Sequence, residues 1–362
     1  MASTLGLSGM STATRILVVG EVVADLRVIG MSEGDSDPGH RDAGPRLQKD
    51  TESKSLSASQ MPPTDRLYVA ASPGGSAANV ATGLARLGVS VGFAGRLSSA
   101  GIGPWLAKHL SANGVDLSCS VEALEAPTLA MVAVDLAGVP SYSFYGADTA
   151  DWQWRLDELP KADRLDVAAV HSGSLATALP PGAEVLASWA AEVRAGGAVF
   201  ISYDPNIRPS LVRDHAALVA SVHAWVQRAH LVKVSEEDLA ILYPGTDPAV
   251  VARHWAKDGP ELVVLTRGAY GSVGFRPDGA AVTVSGHPVT VVDTVGAGDA
   301  FCAGLLAWMA EAGALQPGGP GELKAEEVHA ALAFADLVAS ATCTRHGADT
   351  PMRSDLVSIT RR

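Results

Sequence analysis

The sequence predicts an α/β protein built on a mostly parallel sheet. Short β-branched runs alternate with amphipathic helical stretches through most of the chain, which is the pattern of successive βαβ units. Polar, glycine-rich segments stand where those strands end. The composition, 47% hydrophobic and 18% charged over 362 residues, is ample for a large core.

RILVVGEVVADLRVIG (15–30) reads as a buried first strand that continues outward past Gly20. From 31 to 66 the chain turns to Ser, Asp, Gly, Pro, Lys and Glu, and a disordered insertion is expected. Residues 1–14 read as a flexible tail with no long apolar run of the signal-peptide kind. RLYVAAS resumes the strand pattern. GGSAANVATGLARLG (74–88) places Val80, Leu84 and Leu87 on one helical face and stops at Gly88. TLAMVAVD and SYSFY predict a hairpin around AGVP, with strands between 128 and 146. Strands and helices then alternate: LDVAAVHSG, PGAEVLASWAAEVRAGG, AVFISYDPN, LVASVHAWVQRA and HLVKVS. ELVVLTRGAYGSVGF reads as strand, glycine turn, strand, and QPGGPGE (316–322) as a plain loop.

The net charge of −12 argues against a nucleic-acid partner, which needs clustered Lys and Arg. It leaves open a small phosphate ligand held by local amides. Cys119, Cys302 and Cys343 are far apart and form no metal-spaced pair, as expected of small buried residues in a reducing compartment. No apolar run is long enough to span a membrane, so the expected location is cytoplasmic.

In a parallel sheet, ligands bind beyond the C-terminal strand ends. DTVGAGDAFCAGLLAW holds the most informative of these exits. Gly296, Ala297 and Gly298 permit a tight turn whose N–H groups, at a helix N-terminus, form an anion hole. Asp299 beside them has two readings: a helix cap, or a base that takes the proton of a hydroxyl attacking a phosphate. There is no Walker-type GxxxxGK[ST], and no GxGxxG after the first strand.

GGSAANVATGLARLG and DTVGAGDAFCAG resemble the two signature segments of the ribokinase-like (PfkB) carbohydrate kinase family. YDPNIR, LVKVSEED and TRGAYGS fall where that family has sugar- and nucleotide-side segments, and the resemblance runs from about 15 to 355. It implies a three-layer α/β/α fold with a small β lid and ATP-dependent phosphorylation of a sugar hydroxyl. By resemblance, Asp299 is the catalytic base and Gly296, Ala297 and Gly298 hold the transferred phosphate. Asp25, Gly74, Gly75 and Asn79 contact the sugar, joined by Arg208. Lys233, Ser235, Thr266, Gly268, Gly271 and Gly298 lie on the ATP side, with Asp336 near the adenine. Asp293, Val295, Thr342, Arg345 and Gly347 correspond to a monovalent-cation site for K+; a loop salt-bridged through Arg345 is the alternative. ATP with Mg2+ is the implied phosphate donor, and pairing through the lid strands implies a homodimer.

The chain departs from the family pattern in places. Ser235-Glu236-Glu237-Asp238 stands where the family has Asn-x-x-Glu, which puts magnesium handling in question. Val23 and GGSAAN differ from ribokinases. Gly146 stands where 2-keto-3-deoxygluconate kinases carry an arginine. The GExxxD opening, GGSAANVA and DPNIR are similar to fructokinases, so fructose is the expected hexose. The other readings are ribokinase, 2-keto-3-deoxygluconate kinase, adenosine kinase, and a non-catalytic sugar-sensing pseudokinase.

Overall fold

The computed structural model describes residues 14–32, 66–134, 140–208, 211 and 214–359. An eight-stranded sheet forms its centre. In chain order the strands are β1 (Arg15–Val19), β4 (Ser90–Ala94), β9 (Ala169–Gly173), β10 (Phe200–Asp204), β11 (Leu231–Ser235), β12 (Leu262–Thr266), β13 (Ser272–Phe275) and β14 (Ala281–Val284). Their spatial order is β14-β13-β12-β11-β10-β9-β1-β4. The first six pair in parallel, and β13 and β14 add an antiparallel edge.

Helices cover both faces because the central strands alternate two apolar surfaces. Ile16 and Val18 of β1 join a core with α1 (Ser76–Arg86), α2 (Gly103–Ala112), α7 (Ala297–Glu311) and α9 (Ala325–Cys343). Leu17 and Val19 point the other way, into a core with α3 (Gly182–Gly196), α4 (His215–Arg228), α5 (Glu236–Leu242) and α6 (Pro248–Trp255). Helix α7 is apolar on nearly every side, as befits a helix buried between α1, α9 and the sheet. None of the described helices is long and apolar enough to cross a membrane.

The stretch 15–30 is two strands. After β1 the chain leaves the main sheet and β2 (Val23–Ser32) enters a second, four-stranded one of order β3-β2-β7-β8. Its other members are β3 (Arg66–Gly74), β7 (Leu129–Val134) and β8 (Pro140–Tyr145), the last two an antiparallel hairpin. Met31, Ser32 and Arg66 are therefore strand residues, and the rest of the 31–66 stretch, like the 1–13 tail, lies outside the described residues. A further small pair, β5 (Arg96–Ser98) with β6 (Val121–Ala123), had no clear signal in the sequence. QPGGPGE is not a plain loop: Gly319–Glu322 forms a helical turn, α8, with Pro320 at its second position, where a missing N–H costs nothing.

Because the six central strands run in parallel, their C-terminal ends share one edge. Glu21 after β1, Asp204-Pro205-Asn206 at the end of β10, Ser235 and Thr266 all lie there.

Candidate active site

Helix α7 starts at this edge. Gly296 is its N-cap, at φ 75°, and a Cβ there would lie 2.4 Å from that of Ala348, so the loop beyond α9 packs directly on the turn. The Ala297 N–H bonds the Thr294 carbonyl at 3.2 Å, and the Ala300 N–H bonds the Gly296 carbonyl at 2.8 Å. Between them, the N–H groups of Gly298 and Asp299 have no partner among the described residues. The anion-binding donors are thus one residue further along than the glycine turn alone suggests.

Asp299 is not the helix cap. It sits in the first turn of α7, 6% exposed, and its carboxylate accepts three neutral side-chain donors. Ser76 Oγ donates to Oδ1 at 2.6 Å, Asn79 Nδ2 to Oδ2 at 2.8 Å, and Asn206 Nδ2 to Oδ1 at 3.3 Å. All three of these partners are uncharged. Ser76 and Asn206 belong to this cluster and were passed over in the sequence, although both stand inside the segments singled out there.

Asp25, on β2, faces this group. A Cβ on Gly74 would come within 2.2 Å of its carboxylate, so a side chain there would push the Asp25 carboxylate from this position. Burial raises the pKa of Asp25 to about 6; Arg208 opposes the rise and Asp299 adds to it. Gly75, at φ 98°, lies against the Glu21 carbonyl and turns the chain into α1. Arg208 donates to Asn206 Oδ1 at 2.6 Å. Behind Asn206 and Arg208 a cavity of about 960 Å3 opens, walled by Thr128, Phe144, Gly146 and Trp152.

Two further acids lie beneath. Burial, with Asp151 and Asp299 nearby, raises Glu21 to about 7. Asp151 is raised to about 6, again by burial, although Thr128 Oγ1 and the Val22 N–H donate to it at 2.6 and 3.0 Å.

Lys233 and Asp204 form a buried ion pair, with Nζ 3.0 Å from Oδ2 and side chains 6% and 1% exposed. Nζ also lies 3.0 Å from where a Cβ on Gly298 would sit, directly under the anion-binding turn. Burial alone would lower the lysine pKa, but the surrounding acids, Asp204 first, outweigh it and keep the ammonium charged. Lys233 therefore faces the first turn of α7 from beneath.

Ser235 has no free hydroxyl for a phosphate. It caps α5, with Oγ accepting the Asp238 N–H at 3.0 Å and donating to Asp238 Oδ2 at 2.7 Å. Asp238 Oδ1 takes the Ile207 N–H at 2.8 Å. Held by these groups, Asp238 does not fit as a magnesium ligand. Thr266 pairs with Ser235 across β12 and β11, and Gly268–Tyr270 forms a short turn closed at Gly271, φ 85°. Asp336, on α9, accepts the His287 N–H at 2.6 Å, and burial raises its pKa.

The residues of the expected cation site gather but satisfy one another. Asp293 accepts the Val295 N–H at 3.1 Å and the Gly347 N–H at 3.0 Å, and Arg27 lies 3.6 Å from Oδ2. Burial raises its pKa, but these donors more than offset that and hold it below the usual range. Arg345 is tied to Asp349 at 3.1 Å and Asp355 at 2.8 Å, and the buried Thr342 hydroxyl bonds the Val338 carbonyl at 2.9 Å. The Asp293 carboxylate thus carries two N–H donors with a guanidinium beside it. Arg345 follows the salt-bridged-loop alternative.

The titrating groups predict how stability changes with pH. Glu21, Asp151 and Asp25 bind protons more tightly folded than unfolded, so their stabilisation is full below the ordinary values of 4.5 and 3.8 and is lost as pH rises through about 6 to 7. Burial lowers His171 to about 3 and His230 to about 4. Their contribution is present above 6.5 and is lost as pH falls. The three acids outweigh the two histidines over the interval they share, so thermal scans from pH 5 to 8.5 should show the melting temperature falling modestly to about pH 7 and levelling off above it. A rise across pH 5 to 7 would contradict this assignment of charges.

The family model described as pfkB family carbohydrate kinase matches residues 61–355. A fructokinase of Rhizobium leguminosarum bv. trifolii is 36% identical over 234 residues, 65% of this chain and 70% of that protein. The crystal structure of fructokinase with bound ATP from Xylella fastidiosa is similar with a TM-score of 0.78 at 27% identity, covering 96% of this chain and 98% of that one. Fructokinase from Vibrio cholerae O395, in its fructose, ADP and calcium ion bound form, gives 0.75 at 25% identity over 96% and 99% of the two chains. In sequence, and in a fold shared along nearly its whole length, this chain belongs to the pfkB family of carbohydrate kinases.

Proposed function

We propose that this chain transfers the terminal phosphate of ATP, presented as its magnesium complex, to a hydroxyl of a hexose, and that the hexose is fructose. The observation that carries this reading is the juxtaposition at the start of α7. A buried carboxylate held by neutral donors lies beside two N–H groups without partners. The sugar hydroxyl gives its proton to Asp299 as its oxygen attacks the phosphorus. The Gly298 and Asp299 amides, with the Lys233 ammonium beneath, hold the charge on the moving phosphate. Asp25 and Asn79 orient the sugar, Arg208 reaches it from beyond β10, and Thr266, Gly268, Gly271 and Asp336 flank the nucleotide. No step is routed through Asp238 or the Asp293 loop.

Fructose is supported by the fructokinase relatives and by Gly146, which stands against Trp152 where 2-keto-3-deoxygluconate kinases carry an arginine. ADP release, measured with MgATP and a panel of fructose, glucose, ribose, 2-keto-3-deoxygluconate and adenosine, tests the assignment. Fructose should give the highest kcat/KM. Turnover of none of them would favour the sensing reading.

The second sheet acts as the lid, since β2 carries Asp25 over the site. Its Val69 and Tyr145 are exposed on the face turned away from Asp25, and this is the face we assign to a homodimer contact. Light scattering should give the dimer mass, and Tyr145→Asp should halve it. A monomeric wild type would reject the pairing.

A further inference from the structure

We propose that Glu21 is a positioning residue for phosphoryl transfer: it caps helix α1, whose first turn holds the Asp299 carboxylate in place. This rests on the reading of Asp299 as the base. Helix α1 has no cap of its own, because its N-cap is Gly75, which has no side chain to offer. Its exposed N–H groups are instead satisfied from a distant part of the chain. The Ser76 N–H donates to Glu21 Oε1 at 2.9 Å, and the Ala78 N–H donates to the Glu21 carbonyl at 3.2 Å. Glu21 thus serves the helix with both its side chain and its backbone.

Its other carboxylate oxygen accepts the Ala176 N–H at 3.3 Å, just past β9, so the group is pinned between two elements and is 1% exposed. The output of this arrangement is at Asp299. Ser76, whose amide Glu21 holds, gives its hydroxyl to Asp299 Oδ1 at 2.6 Å. Asn79, in the same first turn, gives its amide to Oδ2 at 2.8 Å. Glu21 makes no hydrogen bond to Asp299 itself, so it acts through α1. A general base is effective only when its lone pair is aimed at the proton, and a small displacement is costly in rate.

The groups that face Glu21 electrostatically are Asp151, on the turn after the second sheet, and Asp299, on α7; both are acids. Burial together with these two neighbours puts its titration near neutrality, which offers a readout that a merely structural cap would lack. Glutamine at 21 keeps the shape but has only one oxygen, so either Ser76 or Ala176 loses its acceptor.

The test is a cycle of Glu21→Gln and Asp299→Asn, read as kcat, KM and the pH profile of kcat. Glu21→Gln should lower kcat about 10- to 100-fold, leave both KM values within a few-fold, and remove an inflection near pH 7 from the profile. In the Asp299→Asn background the same change should have almost no further effect on kcat, because its route runs through that carboxylate. Should Glu21→Gln melt below the assay temperature, Glu21→Asp takes its place, withdrawing the acceptor by one methylene with the charge retained. A folded variant with kcat and pH profile unchanged overturns the proposal while leaving Asp299 as the base. Equal losses in both backgrounds overturn it too. If Asp299→Asn alone turns over normally, it is the base assignment that fails.

Discussion

Asp299→Asn is expected to lower turnover about 10²–10⁴-fold, the usual range for a general base, while changing sugar affinity only a few-fold. The replacement is nearly isosteric, and two of the three donors to the carboxylate meet Oδ1, which asparagine keeps as an acceptor: Ser76 Oγ and Asn206 Nδ2. At Oδ2 the situation reverses. The asparagine NH2 would confront Asn79 Nδ2, donor against donor, at a contact of 2.8 Å in the parent. A flip of the Asn79 amide presents its oxygen instead and restores the bond, so the variant should fold. The amides of Gly298 and Asp299 are untouched and still bind phosphate, so what is lost is the proton acceptor. Steady-state kinetics with fructose and MgATP give kcat, and titration calorimetry gives sugar binding. Turnover within threefold of the parent would remove Asp299 from the chemistry and restore a purely structural role.

Much of this site was legible because its chemistry lies at strand exits. DPNIR, GGSAAN and GAGD each show a polar residue where an apolar run ends, and all three converge on Asp299. The capping of α1 was not legible. Glu21 and Ser76 are separated by 55 positions, and nothing local marks a helix whose cap comes from elsewhere. Asp151 is more remote still, 129 positions from the Val22 amide it binds. The break of the first strand into two sheets was missed for a related reason: apolar periodicity continues through Val22 and Val23, and only tertiary packing sends the two halves apart. Lys233 is an intermediate case. A lysine within LVKVS, between β-branched neighbours, already points to a buried charge, and a partner stands 29 positions upstream in Asp204. The sequence pattern showed the charge without the pairing, because neighbouring parallel strands are joined by a whole helix. Ser235 and Asp238 look like altered phosphate ligands in sequence; their geometry is that of a reciprocal helix cap.

Lys233→Met should destabilise the protein by about 3–5 kcal/mol, because it strands the buried Asp204 carboxylate without its counter-charge. Asp204 has little else to turn to. Among the described residues its Oδ1 has no hydrogen-bond partner, and beside Lys233 only the Cys302 thiol reaches Oδ2, at 3.4 Å. Burial already lifts its pKa to about 6 with the ammonium in place, so removing that charge should drive it to take up a proton. Differential scanning calorimetry should show the melting temperature falling by about 10 °C. Lys233→Met/Asp204→Leu, which replaces the pair with apolar groups of similar size, should recover most of that loss, since a buried pair is often no more stable than a packed apolar substitute. Turnover should part from stability in this double variant. In the parent, Lys233 Nζ lies 3.0 Å both from Asp204 Oδ2 and from where a Cβ on Gly298 would sit, so the ammonium lends positive potential to the amides proposed to receive the phosphate. The field is that of a close pair rather than a lone charge, which limits the expected loss to about tenfold in kcat. A double variant as stable and as fast as the parent would make the pair a packing device alone. A variant that regains its melting temperature but not its rate would assign Lys233 to the phosphate.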